Sequence, residues 1–441
     1  MTSQIVQSTG DRFPTSRRGW YAVIVLAAAV LLSFTDRLII NLLVEDIRLD
    51  LGISYVEISL LQGLGFGIIY ALCALPLGRL ADSINRRNLV MAAIAIWSLG
   101  TAACGLVQNF QGFFVARMIV GLGEAALIPA ANSIISDCFP PQRRGAALGL
   151  FAIGALLGAG VGIMFGGWLL AAIRGGMFSR SSLFGALPPW RIVLILAAAP
   201  AVPLLLAMAF ITEPVRKDRA GPLRLAAMLQ HLGAQQATIP RICLAVGLVA
   251  AGDYGLLSWY PTFLQRAHGI SANASAVLVG LAVSIAGVGA SVSAGLISDR
   301  LVRRGGLSAR PSVMLGAYVL CVVAALLLNS GTTFVLVSGL FLWVLGSVAG
   351  NIVGIAVLQE SVPNELRATT VALCNLCSAI IGLSFGPSSV ALAARWLFED
   401  AHALGPGIAA VTLIAALAGL AMIGTLGLRS LRSIDDAKLA R

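Results

Sequence analysis

Charge is scarce in this chain. Asp, Glu, Lys and Arg make up 11% of its 441 residues, against roughly 25% in an ordinary soluble domain. A water-facing surface cannot be built from so little. Lysine is nearly absent, with Lys217 and Lys438 its only positions; so strong a preference for arginine points to a high-GC, bacterial genome. Histidine occurs three times, at His231, His268 and His402, scattered too widely to suggest a metal site. The seven cysteines lie mostly in apolar runs, as Cys73, Cys104 and Cys321 do. Cys374-x-x-Cys377 has redox spacing but no βαβ context, so it reads as packing. No nucleophile–base pair stands out, so neither an enzyme nor a cofactor is expected. The net charge of +11 comes without a basic stripe interleaved with aromatics, which argues against nucleic acid.

Apolar residues, by contrast, are abundant. They form 58% of the chain, with a mean hydropathy of +0.92, more than a soluble interior can hide. The expectation is an all-α membrane protein with twelve spans of about 20 residues: 20–44, 54–80, 88–107, 111–137, 145–172, 191–212, 241–264, 273–298, 311–329, 333–359, 368–396 and 406–428. Residues 1–19 and 429–441 read as tails, and 1–19 are too long and polar for a cleavable signal. Residues 213–240 are the longest polar connection and divide six spans from six. With a cytoplasmic N-terminus, 22 of the 30 basic residues fall in cytoplasmic segments. Six fall opposite (Arg48, Arg174, Arg180, Arg191, Arg266, Arg395), and Arg37 and Arg117 lie mid-span. That bias predicts both termini in the cytoplasm and contact with anionic lipid.

Two loops repeat in register. "GRLADSINRR", Gly78 to Arg87, is matched by "GLISDRLVRR", Gly295 to Arg304, with Asp82 and Asp299 at an offset of 217. "DCFPPQRR", Asp137 to Arg144, is matched by "ESVPNELR", Glu360 to Arg367, at an offset of 223. The chain therefore reads as a duplicated six-helix unit.

The first of these loops, G-x-L-A-D-x-x-x-R-R, resembles the signature loop of the major facilitator superfamily. The resemblance covers essentially the whole chain, and Glu213-Pro214 fits it. It implies two pseudo-symmetric six-helix bundles that transport by alternating access. Asn85 departs from the usual Gly, and a residue tolerant of left-handed backbone still suits a tight turn. The loop charges Asp82, Arg86, Arg87, Asp137, Arg144, Asp299, Arg303, Arg304, Glu360 and Arg367, with Gly78, are candidates for a cytoplasmic latch between the halves. Simple orientation of the topology accounts for them too. Span 5 carries Gly154, Gly158, Gly162 and Gly166 on one face. That ladder suits a sliding contact or static close packing. It lacks the Gly-Pro usual in drug/proton antiporters, which disfavours that alternative. "GLSFGP", Gly382 to Pro387, suggests a bend in span 11.

Intramembrane charge is a functional-site hypothesis by default. Asp36, Arg37, Arg117, Glu124 and Asp253 qualify. Depth along opposed helices brings Asp36 and Arg117 together in the outer half, with Glu124 two turns deeper on the face of Arg117. In this reading Asp36 and Glu124 carry protons, and Arg117 clamps an anion once Asp36 is protonated. A buried network that only fixes helix register is the plainer account. Arg37, about 100° from Asp36, points either to span 2 or to the outer gate. Asp253 is a second coupling acid or hydrogen-bonded structure. Asn41, Gln62, Tyr70, Asn132, Tyr254, Trp259, Asn351, Gln359 and Asn375 are candidate cavity residues, and helix–helix hydrogen bonding explains each equally well.

"FTDR" in span 1, together with the stretch from Arg117 to Phe151, resembles the Spinster family, whose membrane Asp, Arg and Glu match Asp36, Arg117 and Glu124. The resemblance implies a proton-linked transporter of lysophospholipid- or sphingolipid-like anions. The same three positions also resemble organic-anion symporters that move sugar acids. Protons, an amphipathic or anionic small molecule and membrane lipids are the expected partners. A monomer in the bacterial inner membrane is the expected setting.

Overall fold

The computed structural model describes residues 13–216, 238–306, 309–362, 364–397 and 403–424. The expectations for the start of the chain, for most of the 213–240 connection (Lys217, Arg219, Arg224, His231), for His402 and for the basic C-terminal residues lie outside these. Among the described residues, twelve helices are long and apolar enough to cross a membrane: Ser16–Leu42, Tyr55–Ser83, Arg86–Cys104, Phe110–Cys138, Pro141–Arg174, Pro189–Ala209, Thr238–His268, Ala272–Arg304, Arg310–Leu327, Thr333–Glu360, Thr369–Leu397 and Leu404–Gly424. They are numbered spans 1 to 12 below. The face on which span 1 begins holds most of the basic residues and is called the basic face.

Local chemistry sets the helix starts. Span 2 begins with a capping box, in which Ser54 Oγ accepts from the Glu57 amide and Glu57 Oε2 accepts from the Ser54 amide. Asn109 and Ser271 cap spans 4 and 8 through their side chains. Asn85 corrects an expectation. Its backbone is extended, at φ −64°, ψ 114°, and its side chain accepts from the Asn88 amide. It stands in the signature loop as a helix cap, not as a left-handed turn residue. Span 11 changes to a π-helical stretch over Ser378–Ser384 before resuming at Gly386, so the "GLSFGP" segment does interrupt the helix.

The glycine ladder of span 5 also differs from the sliding contact considered above. Cβ atoms built at Gly154, Gly158 and Gly162 would meet Val30, Phe34 and Thr35 of span 1 at 2.9, 3.0 and 2.6 Å. The ladder therefore locks spans 1 and 5 together inside one half. The contact between halves lies on another face, where Gly160 and Gly167 meet Gly280, Ser284 and Ala276 of span 8.

Every side-chain hydrogen bond or ion pair that joins the halves, among the described residues, lies toward the face opposite the basic one. Asn41 Nδ2 donates to the Leu257 carbonyl at 3.2 Å, and Gln62 Nε2 to the Ser258 carbonyl at 3.1 Å. Ser59 and Ser388 hydroxyls meet at 3.3 Å. Arg266 pairs with Glu45 at 3.4 Å. Toward the basic face, spans 5 and 8 part, and a Cβ at Gly145, Gly149, Gly289 or Gly295 would touch nothing within 4 Å. The molecule is closed at the opposite face and open toward the basic one.

Candidate functional site

The intramembrane charges gather in the first half. Asp36, Arg37, Arg117 and Glu124 are each 5% exposed or less. Close backbone packing makes this possible. A Cβ at Gly121 would meet the Phe66 carbonyl at 2.5 Å, and one at Gly123 the Trp97 amide at 2.7 Å. Span 4 is thus pressed between spans 2 and 3, so Arg117 and Glu124 point inward without reaching lipid.

Their partners differ from the expected ones. Arg37 Nη2 donates to Glu124 Oε2 at 2.6 Å and Arg37 Nε to the same oxygen at 3.2 Å. Ser33 Oγ adds a third donor at 2.7 Å. The Arg37 guanidinium also lies 4.7 Å from the Phe34 and Phe66 ring centres and 5.1 Å from that of Tyr70, within cation–π range. The expected Asp36–Arg117 ion pair does not form. Arg117 directs Nε to the Leu61 carbonyl at 3.1 Å, and its guanidinium lies 5.0 Å from the Phe66 ring centre. Asp36 accepts from Thr101 Oγ1 at 3.4 Å. One Asp36 oxygen, Oδ1, and one Arg117 nitrogen, Nη2, are buried with no hydrogen-bond partner. Both residues line a cavity of about 10 Å³ with Ile40, Thr101, Cys104, Phe113 and Leu194. The geometry explains the exchange. Depth along the helices set Asp36 beside Arg117 and Glu124 two turns deeper, but rotation about span 1 turns Asp36 toward span 3 and Arg37 toward spans 2 and 4. Phe66, which two guanidinium groups share, carries no charge and so has no signature among the intramembrane ionisable residues.

The other candidates divide. Asp253 accepts from Trp343 Nε1 at 2.8 Å. Tyr254, on the second half, packs against the core of the first. Asn132 and Asn375 are exposed and Asn351 is partly buried. Trp259 is not a cavity residue. It is fully buried at the closed end, donating Nε1 to the Pro387 carbonyl at 2.8 Å and meeting Tyr55 edge-on at 5.6 Å. Asn41 and Gln62 belong to the same closure.

At the basic face the charged loops form one cluster per half. Arg86 bridges Asp137 and Glu213, at 2.5 and 2.7 Å, and also donates to Ser133 Oγ and the Pro214 carbonyl. Arg310 bridges Asp299 and Glu360, both at 3.2 Å. Arg87 binds carbonyls at the end of span 6, and Arg367 donates to the Gln359 carbonyl at 2.8 Å. Asp82 forms no ion pair among the described residues; its carbonyl, with those of Ala81 and Ile84, accepts from Arg216. Gly78 lies beside Pro129 of span 4. Arg303 and Arg304 are exposed, and Arg144 is partly buried. None of these contacts crosses between the halves in this open state.

Residues 25–387 match the family model of the Major Facilitator Superfamily. The chain belongs to the Major Facilitator Superfamily. As a member of it, the protein is a multi-pass membrane transporter. It is 29% identical to an MFS-type efflux pump of Mycolicibacterium smegmatis, over 91% of this chain and 90% of that one. It is 33% identical to Protein spinster of Drosophila melanogaster over 150 residues, which cover 34% of this chain and 25% of the relative. Its fold is similar to that of a bacterial homologue of the human lysosomal transporter Spinster, solved inward-facing and unoccupied. The TM-score is 0.73 at 24% identity, over 96% of this chain and 99% of that one.

Proposed function

We propose that this facilitator is a proton-coupled secondary transporter of an amphipathic anion, of lysophospholipid or sphingolipid type, working by alternating access in a bacterial plasma membrane. The basic face is then cytoplasmic and the open state inward-facing, as the distribution of arginine favours. One observation carries the reading: four ionisable side chains are buried together, yet only Arg37 and Glu124 are paired. Arg117 keeps an unpartnered nitrogen and Asp36 an unpartnered oxygen. Helices that needed only to be held in register could use small residues.

In the proposed cycle a proton on Glu124 frees Arg37, which lies within electrostatic reach of Tyr254 where the halves meet. Its guanidinium then receives the substrate's phosphate or carboxylate, for which its planar fork of donors is suited. Asp36 and Arg117 lie behind this pair; Asp36 accepts the second proton, and the unpartnered Arg117 Nη2 is the second donor for the anion. The apolar and aromatic surroundings suit an acyl tail.

Proteoliposomes test the scheme, with a lysophosphatidic acid and a hexonic sugar acid offered in parallel under an imposed proton gradient. Gradient-driven accumulation of the lysolipid is expected, lost in Asp36→Asn and Glu124→Gln. Accumulation of the sugar acid alone would replace the substrate assignment. Normal transport by Arg117→Ala, with unchanged pH dependence, would remove the anion role from that residue.

A further inference from the structure

The second half holds its own version of the Asp36 site. Asp253 follows Asp36 by 217 positions, the offset that relates Asp82 to Asp299. At the same offset Thr101 becomes Tyr318 and Cys104 becomes Cys321. The structure keeps these sets together in space. Asp36 shares its surroundings with Thr101 and Cys104, and Asp253 acts electrostatically on both Tyr318 and Cys321. At the offset of the second repeated loop, 223, Arg117 becomes Leu340 and Glu124 becomes Ser347. Arg37, at 217, becomes Tyr254. The acid has been kept in both halves, while both cations and the second acid of the first half have neutral counterparts in the second.

The groups around Asp253 are accordingly uncharged. Trp343 of span 10 donates its indole N–H at 2.8 Å, and Ser347 of the same span lies nearby with its hydroxyl turned to the Val344 carbonyl at 3.4 Å. Span 9 presents Tyr318, whose hydroxyl is buried without a partner, and Cys321. Span 12 comes up to the neighbouring Gly252 through Ala415. No arginine, lysine or histidine among the described residues pairs with it. An ionised carboxylate here has neutral donors alone to hold its charge, and protonation removes the charge altogether. A cation site with one carboxyl and, among the described residues, no group of three or more His, Cys, Asp or Glu suits a proton better than a transition-metal ion.

We propose that Asp253 is a second proton-carrying carboxyl, the counterpart of Asp36 in the other half, and that Trp343 senses its charge. Each half of the transporter then carries titrating acid: Asp36 and Glu124 in the first, Asp253 in the second. Its role in transport rests on the proposed proton coupling; its titration does not.

The test uses the purified full-length protein and needs no substrate. Tryptophan fluorescence is followed as pH is varied, and the trace of Trp343→Phe is subtracted to isolate Trp343. A sigmoidal change is expected, abolished in Asp253→Asn, retained in Asp253→Glu with a shifted midpoint, and retained in Asp36→Asn. Size-exclusion profiles establish that each variant is folded. A Trp343 signal independent of pH, or one that survives in folded Asp253→Asn, overturns the proposal. If Asp253 titrates and transport proves independent of protons, the coupling scheme fails and this site stands. If coupling through Asp36 holds and Asp253 does not titrate, this inference alone falls.

Discussion

Arg37 Nη2 lies 2.6 Å from Glu124 Oε2, with side-chain exposures of 5% and 0%. The pair joins spans 1 and 4 and is closed off from water by Phe34, Phe66 and Tyr70. Removing one partner of such a pair leaves an uncompensated charge, at a cost of about 3–5 kcal/mol. Arg37→Met and Glu124→Gln should each lower the thermal-unfolding midpoint sharply. The double variant Arg37→Met/Glu124→Met should recover much of the loss. Additive losses, measured at one fixed scan rate, would show that the two charges do not depend on each other.

Arg117 should behave differently. It hydrogen-bonds one backbone carbonyl, lies against the Phe66 ring and is hydrogen-bonded to no carboxylate, so Arg117→Met breaks no direct ion pair. We expect a smaller drop in midpoint than for Arg37→Met, together with a loss of transport at least as large. Equal destabilisation by the two arginine variants would mean that Arg117 is as structural as Arg37.

These two arginines also mark what could be read from residue order alone. The twelve spans were legible because a run of some 20 apolar residues has few other uses. Their ends shifted by several residues, as at Ser16 and at Pro141, where a proline opens the first turn of span 5. The four buried charges were legible because charge in hydrocarbon is rare. Their pairing was not. Depth follows from counting residues, but azimuth depends on how closely neighbouring helices approach. That approach is set by Gly121, Gly123 and the span 5 ladder. The closure formed by Asn41, Gln62, Ser59 and Trp259 was hidden for a second reason: several of its contacts run to backbone carbonyls, which leave no side-chain signal.

Ser59 and Ser388 offer a direct handle on that closure. Their hydroxyl oxygens are 3.3 Å apart across the halves, so cysteine sulfurs placed there would need to close by only about 1 Å to bond. Ser59→Cys/Ser388→Cys, in a background with the seven native cysteines replaced, should cross-link under mild oxidation. Transport should stop and return on reduction. Cross-linking without loss of transport would mean that this face need not open during the cycle.

Glu45 makes a subtler contribution. It receives Tyr55 Oη at 2.6 Å and Arg266 at 3.4 Å, but the Arg266 side chain is 37% exposed. Such a pair contributes about 0–1 kcal/mol. Glu45→Gln should therefore leave the unfolding midpoint nearly unchanged. Labelling of a cysteine placed at Leu257 should rise by up to about fivefold, and the rise should shrink in high salt. An unchanged labelling rate at low salt would remove Glu45 from the closure.

Span 5 uses the same residue type to two ends, so a single added methyl has two different consequences. At Gly158 the methyl would prise span 5 off span 1, and the defect would appear as lost protein, since that half could no longer assemble. At Gly160, where span 8 of the other half approaches, each half would remain intact. The methyl there would act as a doorstop, pushing the resting population toward whichever arrangement keeps spans 5 and 8 further apart. Two alanine variants, two positions apart on one helix, thus separate the making of the machine from its idling position.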